Sequence, residues 1–128
     1  MRILIVSQYF WPENFRINDL AVGLIDKGYE VSVLTGIPNY PEGKFYKTYN
    51  LLGPKYELYK KIKIYRSLIL PRGSGSKIQL FLNYLSFALF GSLRIMFLLK
   101  NKYDIIFVHE PSPITVGLPA IVFKKIKK

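Results

Sequence analysis

The only histidine of the chain, His109, ends the apolar run Asp104–Val108 and is followed directly by Glu110. A neutral imidazole at such a strand end can take up a proton or hydrogen-bond a hydroxyl. Glu110 is a second candidate at the same place, and the plainer reading of both is structural. Two loop segments carry further chemistry. The first holds Tyr9, Phe10, Trp11, Pro12, Glu13, Asn14 and Arg16. Asn14 and Arg16 offer contacts to hydroxyl or anionic groups, helped by the partial positive charge where a helix begins. The structural alternative makes Asn14 the helix N-cap and Glu13 a first-turn carboxylate. The second segment is Asn39-Tyr40-Pro41-Glu42-Gly43-Lys44. It mixes amide, phenol, carboxylate and ammonium on a frame stiffened by Pro and Gly. An aromatic face suits the C–H surface of a sugar, and Asn or Glu suits its hydroxyls; taken alone, the segment also reads as an ordinary polar loop.

Several chemistries are excluded. No cysteine is present, which removes disulfides and thiolate catalysis, and with a single histidine a structural zinc site is not expected. There is no glycine between Met1 and Gly23, so the G-x-G-x-x-G dinucleotide fingerprint is missing and NAD or FAD is not expected. No G-x-S-x-G elbow exists for a serine hydrolase. Arg72-Gly-Ser-Gly-Ser allows two readings, a phosphate-binding nest or a flexible break between elements, and the break is the simpler one.

The elements that must position these residues form a βαβ pattern. Ile3–Val6 is an apolar run without alternation, as in a parallel strand buried on both faces. An amphipathic helix is predicted over Phe15–Lys27, ended by Gly28, and a β-branched strand over Glu30–Thr35. Residues 36–54 read as a long functional loop, with extended pieces at Tyr56–Tyr59 and Ile62–Leu70. Ser76 is a plausible N-cap for a long helix over Ile78–Leu99. Another buried parallel strand at Asp104–His109 and a helix over Pro113–Lys125 follow, the latter begun by Ser112 and Pro113 as cap and N1. The expected fold is α/β, a Rossmann-like parallel sheet with flanking helices, whose ligands bind at the carboxyl ends of the strands. Chain length allows one domain.

Charge is distributed unevenly. Residues 1–43 carry three basic and five acidic side chains, residues 44–128 sixteen basic and three acidic, within a net charge of +11. The basic portion attracts an anionic membrane surface, a phosphorylated ligand or nucleic acid, or it is simply a solvated face. Nucleic acid is the least favoured partner, since Lys55–Arg66 alternates as an ordinary strand pair does. In the long helix, Gln79, Asn83, Ser86 and Arg94 fall within about 80° of one another, and nearly all else is apolar. Three readings compete: a helix covering the sheet, an in-plane membrane-surface helix flanked by Lys77, Lys100 and Lys102, and a true span. Four consecutive aliphatics after Met-Arg are too few for a signal peptide, so a cytoplasmic location is expected.

The runs SQYFWPENFRIND, KGYEVSVLTGIPNYPEGKFY and YDIIFVHEPSPITVGLPA, in this order, resemble the N-terminal half of bacterial family 4 glycosyltransferases of the GT-B type. The closest likeness is to the branch building lipopolysaccharide O-antigen, capsule and exopolysaccharide, including enzymes similar to L-fucosamine transferases. The resemblance implies a partial N-terminal, acceptor-binding domain over residues 1–128, with the donor-binding domain absent from this stretch. It implies transfer of a sugar from a nucleotide-sugar to a lipid-linked saccharide acceptor, without an essential metal or other cofactor. His109 then becomes the catalytic candidate, and Tyr9, Glu13, Asn14, Arg16, Asn39, Tyr40, Glu42, Lys44 and Glu110 substrate-binding candidates. This stretch would be inactive alone, taking nucleotide-sugar only with a donor-domain partner chain, at the inner face of the cytoplasmic membrane. A non-catalytic membrane-surface or subunit-interaction module is the alternative.

Overall fold

The computed structural model describes residues 1–109 and 113–127. It is an α/β sheet of five strands, four of them parallel, with three α-helices. In chain order these are β1 (Arg2–Ser7), α1 (Arg16–Asp26), β2 (Glu30–Thr35), β3 (Tyr56–Tyr59), β4 (Ile62–Arg66), α2 (Lys77–Met96), β5 (Ile105–His109) and α3 (Leu118–Ile126). Across the sheet the order is β3-β4-β2-β1-β5. The parallel series β4-β2-β1-β5 is the order with which a doubly wound sheet begins, and β3 joins β4 as an antiparallel edge.

Alternation along the strands sorts the core into two layers. Ile3, Ile5, Val31, Val33, Ile62 and Ile64 pack against α1. Leu4, Val6 and Leu34 face the other way, onto Phe87 and Ile95 of α2 and Phe123 of α3. Both faces of β1 and β2 are therefore covered, which explains why their sequences show no polar alternation. β5, expected as a buried strand, instead lies at the edge of the sheet opposite β3, so its Ile105 and Phe107 remain exposed.

Element ends follow from local chemistry, and several differ from expectation. Gly28 has φ +86°; its N–H bonds the Ile25 carbonyl at 2.8 Å and that of Tyr29 bonds Leu24 at 3.1 Å, the paired closure of a Schellman motif. At the other end of α1, Asn14 is exposed and Phe15 occupies the N-cap without a side-chain cap. Phe15 is drawn inward by its stack on Tyr9, and Asn18 fastens the loop instead, accepting from Trp11 N and donating to the Glu13 carbonyl. β4 stops at Arg66 rather than Leu70, because Leu70 is taken by α2: its N–H bonds Ser86 Oγ and its carbonyl accepts from Asn83. Ser76 caps α2 as expected, in a full capping box with Gln79. The last helix begins as a 3-10 turn, Ile114–Gly117, before α3, which carries Pro119 in its first turn. The expected Ser112 cap lies outside the described residues.

The polar stripe of α2 settles which way the helix faces. Asn83 and Ser86 are buried against the loops, and Phe87, Ala88 and Ile95 against the sheet and α3. The inner face of α2 thus covers the sheet, and by length and apolar composition the helix could also cross a membrane. What lies outward is apolar, including Ile78, Leu89 and Leu93.

Candidate functional site

The carboxyl edge of the sheet gathers Ser7, Thr35, Arg66 and His109 at the ends of β1, β2, β4 and β5. Three loops close over that edge, and buried polar side chains hold them to one another. Glu13, 1% exposed, accepts from Phe10 N at 3.2 Å with one carboxylate oxygen. Its other oxygen accepts from Asn39 N at 2.8 Å and Tyr40 N at 2.9 Å. Burial pushes its carboxyl up to about 7, against the pull of those three N–H donors and of Arg66. Asn39, fully buried, donates to the Ile37 carbonyl and accepts from Arg72 N at 3.0 Å. Gly73 N bonds the Gly43 carbonyl at 2.9 Å, and a Cβ on Gly43, at φ +73°, would lie 1.8 Å from Gly73 O. Arg72-Gly-Ser-Gly-Ser is therefore docked on the second loop at its first two residues, not a free break.

These clasps place an aromatic surface beneath a cation. Tyr9 stacks on Phe15 with ring centroids 5.1 Å apart, and Tyr40 leans on both. The Arg72 guanidinium lies over the Tyr9 and Tyr40 rings at 5.7 and 5.2 Å, and donates to Tyr9 Oη at 2.7 Å. Tyr9 Oη in turn reaches Asn83 Oδ1 at 3.1 Å, so the phenol accepts from Arg72 and donates to α2. Burial raises that phenol to about 12, so it stays protonated at neutral pH. Gln8 Nε2 also donates to Asn83 Oδ1, while Gln8 Oε1 is buried with no partner among the described residues. An acceptor left this way asks for a hydroxyl or water.

Of the residues singled out in the sequence, Tyr9, Glu13, Asn39 and Tyr40 come together here. Glu13 and Asn39 are spent on backbone groups and act by positioning the loops; Tyr9, 5% exposed, is packed against Phe15 and Arg72 and supports them, while Tyr40 supplies exposed ring surface. Asn14, Arg16, Glu42 and Lys44 are exposed, with no side-chain hydrogen bond among the described residues. His109 sits beside Ser7 in the sheet, half-buried, its imidazole held below the ordinary range by burial and so neutral at pH 7. Glu110 lies outside the described residues. Arg72, Phe15, Gln8 and Asn83 were not anticipated. The one signal for Arg72 was a lone arginine ahead of a Gly-Ser run.

Arg66 supports the whole edge from below. Its guanidinium donates to Glu57 at 2.6 Å, to the Gly36 carbonyl at 2.9 Å and to the Trp11 carbonyl at 2.5 Å. Glu57 also accepts from Tyr49 Oη at 2.7 Å. At the opposite, amino edge lies a polar groove of about 510 Å³, lined by Arg2, Glu30, Lys63 and Lys100 among others. Ligands of parallel α/β sheets bind at the carboxyl edge, which gives the Tyr9–Tyr40–Arg72 surface precedence. Among the described residues no group of three or more His, Asp or Glu side chains comes together to hold a metal ion. The chain matches no family model, no curated protein and no solved structure.

Proposed function

We propose that this chain is the acceptor side of a GT-B-type glycosyltransferase of bacterial surface-polysaccharide assembly. The observation that supports the reading is the Tyr9–Phe15–Tyr40 surface under Arg72, built at the carboxyl edge by loops that Glu13 and Asn39 clasp together. Aromatic faces bind the C–H side of a sugar ring, and the guanidinium donors not used on Tyr9 bind a hydroxyl or phosphate oxygen. His109, neutral beside Ser7, is the proposed base for the acceptor hydroxyl as that oxygen attacks the donor sugar. The donor nucleotide would be held by a second α/β unit, with transfer onto a lipid-linked saccharide at the cytoplasmic face of the membrane. The rate advantage then comes from positioning the two substrates and stabilising the leaving diphosphate. A second reading, a non-catalytic membrane-surface or subunit-interaction module, is favoured by the outward apolar face of α2 alone.

The single tryptophan, Trp11, lies in the first loop, stacked on Tyr59 at 4.4 Å, and reports on that loop. Titration with oligosaccharides released from bacterial surface polysaccharide should change its emission. Arg72→Ala should raise the dissociation constant at least about tenfold, the loss of one charge-assisted bond. Equal affinities for the two chains would remove Arg72 from the site.

A further inference from the structure

The face of the sheet that α2 covers is apolar only toward its carboxyl end, where Leu4, Val6 and Leu34 meet the helix. Toward the amino end the same face continues with Arg2, Glu30, Ser32 and Lys63, set side by side by the register of β1, β2 and β4. A parallel strand covered on both faces reads as an apolar run, and a serine and a lysine at these positions break that rule. The helix stops at Met96, and residues 100–103 form the far wall of a groove of about 510 Å³ over these polar positions.

Cations line the groove at Arg2, Lys63, Lys100 and Lys102, against the single carboxylate of Glu30. Glu30 is engaged by Arg2, Nε to Oε2 at 3.6 Å, and the neighbouring Asp104 accepts from Arg2 N at 2.6 Å. Lys63, Lys100 and Lys102 form no ion pair among the described residues. Nor are the two lysines after α2 spent on its last carbonyls: Lys127 donates to Leu99 and Asn101 there. Neutral donors stand beside the cations. The Asn101 amide donates to Tyr103 Oη at 3.3 Å, and Tyr65 shares the groove with both. Burial, with Tyr103 and Tyr56 beside it, raises the Tyr65 phenol above its ordinary range, so it stays protonated at neutral pH. Ser32, 7% exposed, adds a hydroxyl with no hydrogen bond among the described residues.

This set of groups selects its ligand by charge. An uncharged sugar would leave three ammonium groups unanswered, and a single carboxylate would answer one of them. A short chain of phosphates carries several negative charges and many acceptor oxygens, which suits both the ammonium groups and the hydroxyl donors between them. We propose that the groove at the amino edge binds a small polyphosphate, free or as the phosphate chain of a nucleotide, on Lys63, Lys100, Lys102 and the Tyr65 hydroxyl. The proposal stands apart from the acceptor-side reading, whose site lies at the opposite edge of the sheet, so either can fail alone.

Calorimetric titration of the purified chain with tripolyphosphate and with ATP, at constant ionic strength and without magnesium, tests it. Both should bind at one site, at least about tenfold more tightly than inorganic phosphate. Lys63→Gln with Lys100→Gln, both exposed positions, should weaken tripolyphosphate at least about tenfold with an unchanged circular dichroism spectrum. Lys47→Gln with Lys77→Gln removes the same charge elsewhere on the surface and should change the affinity less than about twofold. Tyr65→Phe, which deletes one hydroxyl and keeps the ring, should weaken binding about threefold or more. Equal affinities for ATP and tripolyphosphate assign the phosphate chain alone, and tighter binding of ATP adds a contact to the nucleoside; both support the site. The proposal is overturned if neither ligand binds, or if the two double variants weaken binding alike. It is equally overturned if a single-stranded oligonucleotide binds more tightly than either, since the lysines would then belong to a strand-binding surface.

Discussion

Arg66→Met should lower the unfolding free energy by about 3–5 kcal/mol, the cost of stranding one partner of a buried ion pair. Arg66 is 2% exposed, and nothing else in its surroundings can answer Glu57, the Gly36 carbonyl and the Trp11 carbonyl together. The methionine keeps much of the volume, so the loss reports charge and hydrogen bonding rather than a cavity. Against the roughly 5–15 kcal/mol that holds a domain of this kind together, that is a large share. Adding Glu57→Leu should return part of it, because the unpaired carboxylate then disappears. Urea unfolding of the single and double variants measures both effects. A loss below about 1 kcal/mol for Arg66→Met would mean that the network holds no more than a surface pair does.

The second large effect is pH-dependent and belongs to Glu13. Its carboxyl is raised from an ordinary 4.5 to about 7 in the fold, chiefly by burial. A carboxyl raised on folding favours the folded state fully below its unfolded value, and that contribution drains away as pH rises through the folded one. The stability Glu13 lends should therefore fall between about pH 4.5 and pH 7, by up to about 3 kcal/mol. Glu13→Gln removes the titration. Its carbonyl can still accept from Asn39 and Tyr40, but its amide then faces the Phe10 N–H, a mismatch costing about 1 kcal/mol or more at any pH. His109 works in the opposite sense: held low by burial, it takes stability away as pH falls past its ordinary 6.5. The difference between parent and variant across the pH range isolates Glu13. A difference that does not change with pH would show that its carboxyl is not raised.

Both effects arise from contacts that no local reading of the sequence can supply. The strands β1, β2 and β5, the Gly28 stop and the Ser76 cap were legible because each depends on residues a few positions apart. The clasps are different in kind. Glu13 meets Asn39 across 26 residues, Arg72 meets Tyr9 across 63, and Gln8 meets Asn83 across 75. Glu13 has the look of a first-turn carboxylate, and only the return of the second loop turns it into a buried acceptor. Likewise, a helix with one polar stripe has two possible orientations. The stripe of α2 points inward because Leu70 and Tyr9 arrive there needing partners, and that arrival is tertiary.

The most direct test of the central claim is an amide-shift map of the isotope-labelled chain during titration with oligosaccharides released from bacterial surface polysaccharide. The acceptor-side reading predicts perturbations centred on Tyr9, Phe15, Tyr40 and Arg72, lost in Arg72→Ala. Perturbations confined to the basic groove at the amino edge, around Arg2, Lys63 and Lys100, or none at all, would contradict it.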